Sequence, residues 1–204
     1  RRLASINSEL LEKFGEVCKA SKCAILVPNV EEVDSKLYPA SFLIGPEGDV
    51  LMSYRKVHLF SDERMWATAG SEYPVMDTPY GRIGIMMGYD GMFPEAASCL
   101  GINGADVILW PARLQDGKER TLIAVPRAVD NRCAVILANR VDAPFGGGSM
   151  IALPAQFPVW DVDVARPYYP DMHKIILEVI EIASARQKNM MANVHMFAKR
   201  QPWT

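Results

Sequence analysis

The run Gly84-Ile85-Met86-Met87-Gly88-Tyr89-Asp90-Gly91-Met92-Phe93-Pro94-Glu95 changes character halfway along. Its first half is apolar and unbroken, as expected of a buried strand. Its second half holds glycines, a carboxylate and then Phe-Pro-Glu. Proline suits the first turn of a helix and glutamate suits its positive end, so a helix opens at Phe93. The chain therefore turns sharply from strand to helix around Gly88-Tyr89-Asp90. The elbow begins on a residue with no side chain.

Working outward, Pro79-Tyr80-Gly81-Arg82 supplies a turn that delivers the chain into a strand over 83–89. Further upstream, strands over 38–44 and 50–54 flank Gly45-Pro46-Glu47-Gly48-Asp49 and predict a β-hairpin. Its second strand runs out through Tyr54-Arg55-Lys56-Val57-His58-Leu59-Phe60. Residues 23–27 read as a short buried strand ending at Pro28. Before them, Ile6, Leu10, Leu11, Phe14, Val17 and Cys18 recur at helical spacing.

Downstream, Gly101 and Gly104 offer stops to the first helix. Residues 106–110 read as a strand ending at Pro111. Residues 118–131 read as a helix that Pro126 should kink or restart. A strand follows over 133–138, then a loop at Gly146-Gly147-Gly148-Ser149 and strands over 150–153 and 159–164. Asp171 is placed to cap a helix running to about 185. Strands alternating with helices imply an α/β architecture in which helices cover sheets.

The 204 residues suffice for one domain with a substantial core. Half are hydrophobic and 23% are charged, a soluble globular composition, and a formal charge of −2 shows no overall bias toward nucleic acid or an anionic membrane. No apolar run approaches the ~20 residues that span a bilayer, and the amino terminus lacks a signal-peptide core. Cys18, Cys23, Cys99 and Cys133 lack zinc-ribbon spacing and read as reduced core thiols of a cytoplasmic protein. His58, His173 and His195 do not fall at ligand spacing, so no metal and no cofactor is expected. The Gly146–Ser149 loop lacks the lysine of a phosphate-binding loop.

Several motifs in order then carry a resemblance. They are the lysine run 54–60, the acidic stretch from Asp62-Glu63 to Gly70, Asp77-Thr78-Pro79-Tyr80-Gly81-Arg82-Ile83-Gly84, and the elbow. After these come Gly104-Ala105-Asp106-Val107-Ile108, Pro111-Ala112, Arg127-Ala128-Val129-Asp130-Asn131-Arg132, Ala138-Asn139-Arg140-Val141 and Gly147-Gly148-Ser149-Met150-Ile151. Together they resemble the nitrilase, or carbon–nitrogen hydrolase, superfamily. The match is strongest over 10–151, within a single domain of 1–204 whose last strand, helix and tail occupy 159–204.

The resemblance implies a four-layer αββα sandwich of the nitrilase type, abridged, that pairs into a homodimer or a higher homo-oligomer. It implies attack on non-peptide C–N bonds of a small amide, carbamoyl compound or nitrile through a Glu-Lys-Cys site. The chemistry asks for a thiolate to form a thioester, a carboxylate to move protons, and donors for the developing oxyanion. By resemblance Lys56 is the ammonium, Glu63 the supporting second glutamate, and the Tyr89 N–H the oxyanion donor. Pro111 and Ala112 match substrate-contacting positions. The nucleophile position falls on Gly88, and the family's first glutamate has no match in the sequence.

Read without the resemblance, Lys56 is a solvated strand-end cation and Glu63 a helix-start charge. Asp90 and Glu95 read as carboxylates that hold the elbow, and His58 as structural. Cys99 lies too far along the helix to replace a thiol at 88. Glycine cannot form an acyl intermediate, and loss of a nucleophile costs on the order of 10⁴- to 10⁶-fold in rate. Three functions therefore stand: an impaired or inactive hydrolase, a binding or assembly protein keeping the scaffold without chemistry, and, behind these, hydrolysis by a different nucleophile such as a water positioned by Glu63 and Lys56.

Overall fold

A computed structural model describes residues 2–115, 117–140, 147–154, 162–165 and 180. Helix α1 (Arg2–Ser21) leads into a three-stranded antiparallel sheet of β1 (Ile25–Val33), β2 (Lys36–Ile44) and β3 (Val50–Arg55). A short helix α2 (Glu63–Trp66) follows. The second sheet has six strands in sequence order: β4 (Val75–Thr78), β5 (Gly81–Ile85), β6 (Val107–Ala112), β7 (Ala134–Asn139), β8 (Met150–Pro154) and β9 (Val162–Ala165). Strands β5, β6 and β7 are parallel, and the outer pairings are antiparallel. Helices α3 (Pro94–Ile102) and α4 (Gly117–Asn131) are the crossovers between the parallel strands.

Three separate apolar clusters define four layers. Cys18, Leu11 and Phe14 of α1 pack on Val27 and Ile44 of the first sheet. Leu43, Met52 and Tyr54 of that sheet meet Ile83 and Ile85 of the second. On the second sheet's far face, Ile108, Trp110, Val135 and Leu137 pack beneath Ala97, Leu100, Ala124 and Ala128 of α3 and α4. The order is helix, sheet, sheet, helices: the α/β, αββα arrangement. Among the described residues no helix is long and apolar enough to cross a membrane, which says nothing of strands.

The structure departs from the sequence expectations in several places. Strand β5 stops at Ile85 instead of reaching 89, because the elbow turn begins at Gly88, and β6 runs through to Ala112 instead of ending at Pro111. Pro28 does not end β1; the strand continues to Val33 and forms a hairpin with β2 through Asp34 and Ser35, both with φ near +50 to +60°. Strand β1 is an edge strand, where a missing N–H is tolerated. Helix α4 does not restart at Pro126 but runs on as one element, with Ala124 and Ala128 on either side of the proline fully buried. Of the α1 apolar set, Leu11, Phe14 and Cys18 face the sheet, while Leu10 and Val17 are exposed. All four cysteines are free, but only Cys18 and Cys133 are core residues. Cys23 is exposed in the link from α1 to β1, and Cys99 is exposed on α3, whose Ala96, Ala97 and Leu100 are buried.

The expected strand over 159–164 is represented by β9 at Val162–Ala165. The helix over 171–185 and the tail beyond it lie outside the described residues, apart from Ile180.

Candidate active site

The site lies where β5, β6 and β7 end at their carboxyl edges, the usual place for ligands in an open parallel sheet. From β5 the chain passes through buried Met86 and then Met87 into a single 3-10 turn, Gly88–Met92, before α3. Gly88 has φ +51°, the left-handed region that side chains rarely adopt. A Cβ built on it would lie 3.5 Å from Nζ of Lys56 and 3.7 Å from its Cε. The elbow therefore aims the position of residue 88 at the lysine ammonium.

Asp90 holds the elbow. It is fully buried, and its Oδ2 accepts the Tyr54 hydroxyl at 2.6 Å and the Met87 N–H at 2.9 Å. Its Oδ1 accepts the His58 N–H at 2.8 Å and lies 3.1 Å from His58 Nδ1. Tyr73 Oη is 2.9 Å from the same ring nitrogen, and Phe93 stacks on the imidazole at 3.9 Å. Burial, then the Asp90 charge and hydrogen bond, push the Tyr54 hydroxyl far above its ordinary pKa. On the other side, buried Arg127 of α4 donates to the carbonyls of Gly91 and Met92 at 3.3 Å each. Its pKa is lowered by burial, against which the charges of Asp130 and Glu95 work.

Lys56 follows β3 directly. Its N–H donates to the Pro39 carbonyl at 2.8 Å and its carbonyl accepts from Gly70 N–H at 2.8 Å, so backbone pairing on both sides fixes where the side chain starts. The side chain is only 4% exposed, and Nζ meets Glu63 Oε2 at 2.5 Å. Glu63 is the first residue of α2. Its Oε2 also accepts the Phe60 N–H at 2.8 Å, while Oε1 receives Arg113 Nη2 at 3.4 Å. One carboxylate thus serves a buried ammonium, a backbone donor and a half-exposed guanidinium.

Two cavities meet here. The inner one, about 420 Å³, is lined by Lys56, Glu63, Gly88, Pro111, Ala112 and Arg113, with Leu26, Leu109 and Ile136 as apolar wall. The outer one, about 550 Å³, has Lys56, Phe60, Gly88, Tyr89 and Arg113 on its lining. Lys56, Gly88 and Arg113 belong to both. The ring of Tyr89 packs against Phe60 and Phe93, with centroids 4.9 and 5.1 Å away.

The structure thus brings Lys56, Glu63, Gly88, Tyr89, Pro111 and Ala112 to one place. Cys99 is not among the lining residues. Glu95 stands in the first turn of α3, and the elbow's donors are met by Asp90. Sequence reading missed Arg113, which no local pattern marks, and Trp110, whose indole N–H donates to the Gly88 carbonyl. It also missed Asn139. That side chain bonds both backbone groups of Leu114 and the Gly147 carbonyl, tying together the loops after β6 and β7. Among the described residues no group of three or more His, Cys, Asp or Glu is arranged to hold a metal ion.

Comparison with known proteins follows the same lines. The Carbon-nitrogen hydrolase family model matches residues 2–155. Similar proteins include a probable nitrilase of Schizosaccharomyces pombe, 35% identical over 119 residues, covering 56% of this chain and 43% of the relative. A nitrilase of Pyrococcus abyssi is 32% identical over 144 residues, covering 68% and 54%. The omega-amidase of Homo sapiens is 31% identical over 147 residues, covering 66% and 53%. The chain spans about half the length of these curated relatives.

Among solved structures, a variant of the amidase from Nesterenkonia sp. AN1 matches with TM-score 0.66 at 24% identity, over 72% of this chain and 60% of that one. It carries the acetamide moiety of fluoroacetamide added covalently at its active-site cysteine. A carbon-nitrogen hydrolase from Helicobacter pylori matches with TM-score 0.70 at 17% identity, covering 84% and 66%. These likenesses concern the fold; with the sequence match over three quarters of its length, they lead to one conclusion: the chain belongs to the carbon–nitrogen hydrolase, or nitrilase, superfamily.

Proposed function

We propose that this chain carries a nitrilase-type site for a small amide, carbamoyl compound or nitrile, in which Gly88 leaves binding in place and impairs turnover. In the complete form of the site a thiol at position 88 attacks the substrate carbon. Lys56 then stabilises developing negative charge, and Glu63 holds Lys56 and takes part in proton traffic. Tyr89 N–H is the second oxyanion donor, and Pro111 and Ala112 form the wall against which the acyl part lies. The observation that carries this reading is the 3.5 Å approach of a residue-88 Cβ to the Lys56 ammonium. A binding or assembly protein without chemistry is the second reading, favoured by Gly88 itself.

Four free thiols suit a reducing, cytoplasmic setting. We take residues 1–204 as one domain and a homodimer as the assembly that the family's fold implies; a monomer by light scattering at micromolar concentration contradicts the latter.

The test is Gly88→Cys, checked for folding by its thermal transition and treated with iodoacetamide at pH 7. A thiol facing Lys56 is stabilised as thiolate, so it is expected to react at least about tenfold faster than exposed Cys23 and Cys99 of the same chain. Adding Lys56→Met should remove that advantage. A thiol at 88 no faster than Cys23 removes the basis of the proposal. Ammonia release from Gly88→Cys joined to an upstream segment that supplies the family's first glutamate, with a panel of small amides, separates the readings: turnover supports the hydrolase, and none supports the binding protein.

A further inference from the structure

We propose that the space in front of Gly88 holds the carboxylate of an aliphatic acid, with its hydrocarbon tail in the inner cavity. This rests on the proposed site and goes beyond it, because it names an anion rather than a neutral amide as the ligand this chain prefers.

Charge balance is the first argument. Glu63 is one carboxylate shared by two cations, with Lys56 Nζ at 2.5 Å on one oxygen and Arg113 Nη2 at 3.4 Å on the other. The cluster is left with one net positive charge. Lys56 is 4% exposed and the Glu63 side chain 10%, while Arg113 is 47% exposed, so the excess sits on a guanidinium that lines both cavities and faces an entering ligand. Asp90 pairs with neither cation: its two oxygens bond Tyr54, Met87 and His58. Asp62 lines the outer cavity only and is solvent-exposed. Among the described lining residues of the inner cavity, Glu63 is the sole carboxylate, and it faces both Lys56 and Arg113.

Space is the second argument. A side chain at 88 would fill the point beside Nζ where the two cavities join; glycine leaves it open to an incoming oxygen. Beyond that point the wall is Leu26, Leu109 and Ile136 with Pro111 and Ala112, a surface for methylene groups. At about 420 Å³ the cavity lies in the range of small-molecule sites. A carboxylate head on Lys56 with Arg113 beside it neutralises the cluster, whereas an amide of the same shape leaves it charged.

Butyrate and butyramide, matched in size, test this by calorimetric titration of the unmodified chain. Butyrate is expected to bind at least about tenfold more tightly. Arg113→Gln should weaken butyrate about tenfold and leave butyramide within about twofold, with Arg113→Lys recovering part of the loss. Butyramide binding as tightly as butyrate, or butyrate indifferent to Arg113→Gln, overturns the anion preference and leaves the amide site standing. Binding of neither ligand also overturns the inference, while the iodoacetamide rates still judge the site itself. Butyrate binding undiminished in Lys56→Met overturns it as well, since the ligand then lies elsewhere.

Discussion

Trp110 donates its indole N–H to the carbonyl oxygen of Gly88 at 3.0 Å, joining the buried heart of β6 to the first residue of the elbow. The same ring leaves no room at Gly91, where an added Cβ would come within 2.0 Å of it. Trp110→Phe keeps an aromatic ring and removes the donor, leaving a buried carbonyl without its partner. The expected loss is about 1–3 kcal/mol by urea unfolding. Gly91→Ala should cost at least as much through overpacking. Stability unchanged by both substitutions contradicts this anchoring.

Asp90→Asn keeps the size of the side chain and sets an amide donor against groups that themselves donate. Whichever way the amide is turned, it faces the His58 N–H, or the Tyr54 hydroxyl and Met87 N–H. About 3 kcal/mol or more of stability should be lost. A lowered urea midpoint at unchanged slope is the expected result.

Alkaline pH should weaken the fold through its buried tyrosines. The Tyr54 hydroxyl is raised by burial first and by Asp90 next; Tyr73 is raised by the same two influences in the same order. The unfolded chain releases these protons near pH 10, the ordinary tyrosine value. Their contribution is fully present below that pH and is lost as pH climbs toward the raised folded-state values. Stability should therefore fall above pH about 10, by up to about 1.4 kcal/mol per pH unit for Tyr54 alone. Tyr54→Phe should flatten the decline measured by urea unfolding; an unaltered slope counts against the argument.

Gly88→Ala isolates the backbone at the elbow. The new methyl would meet Lys56 only at ordinary contact distances, so the cost comes from φ +51° rather than from crowding. About 1–2 kcal/mol of destabilisation is expected. A neutral or stabilising substitution would show that the elbow is not left-handed in solution.

How legible each part was depended on whether its cause is local. The hairpin at Gly45–Asp49 and the elbow at Gly88–Glu95 are written in turn residues, and both stand where the residues place them. The length of β1 was not legible, because a proline stops a strand only if its neighbours need its N–H, and edge position is a property of the whole sheet. The cysteines divide by helix face and link position, which composition does not reveal. Lys56 and Glu63 stood out only through their motif. Arg113, Trp110 and Asn139 act across 50, 22 and up to 25 residues of sequence, so no window of neighbours contains the reason for them.

Tyr54 and Lys56 stand two residues apart at the end of β3, one gripping Asp90 and the other reaching toward Gly88. Because side chains alternate along a strand, these two act as a ruler with a single correct setting. Slippage by one residue would present Ser53 and Arg55 instead, undoing clamp and charge in the same stroke. The zipper of the first sheet thereby sets the phase of the second: only with its strands in register do clamp and charge both reach the carboxyl edge.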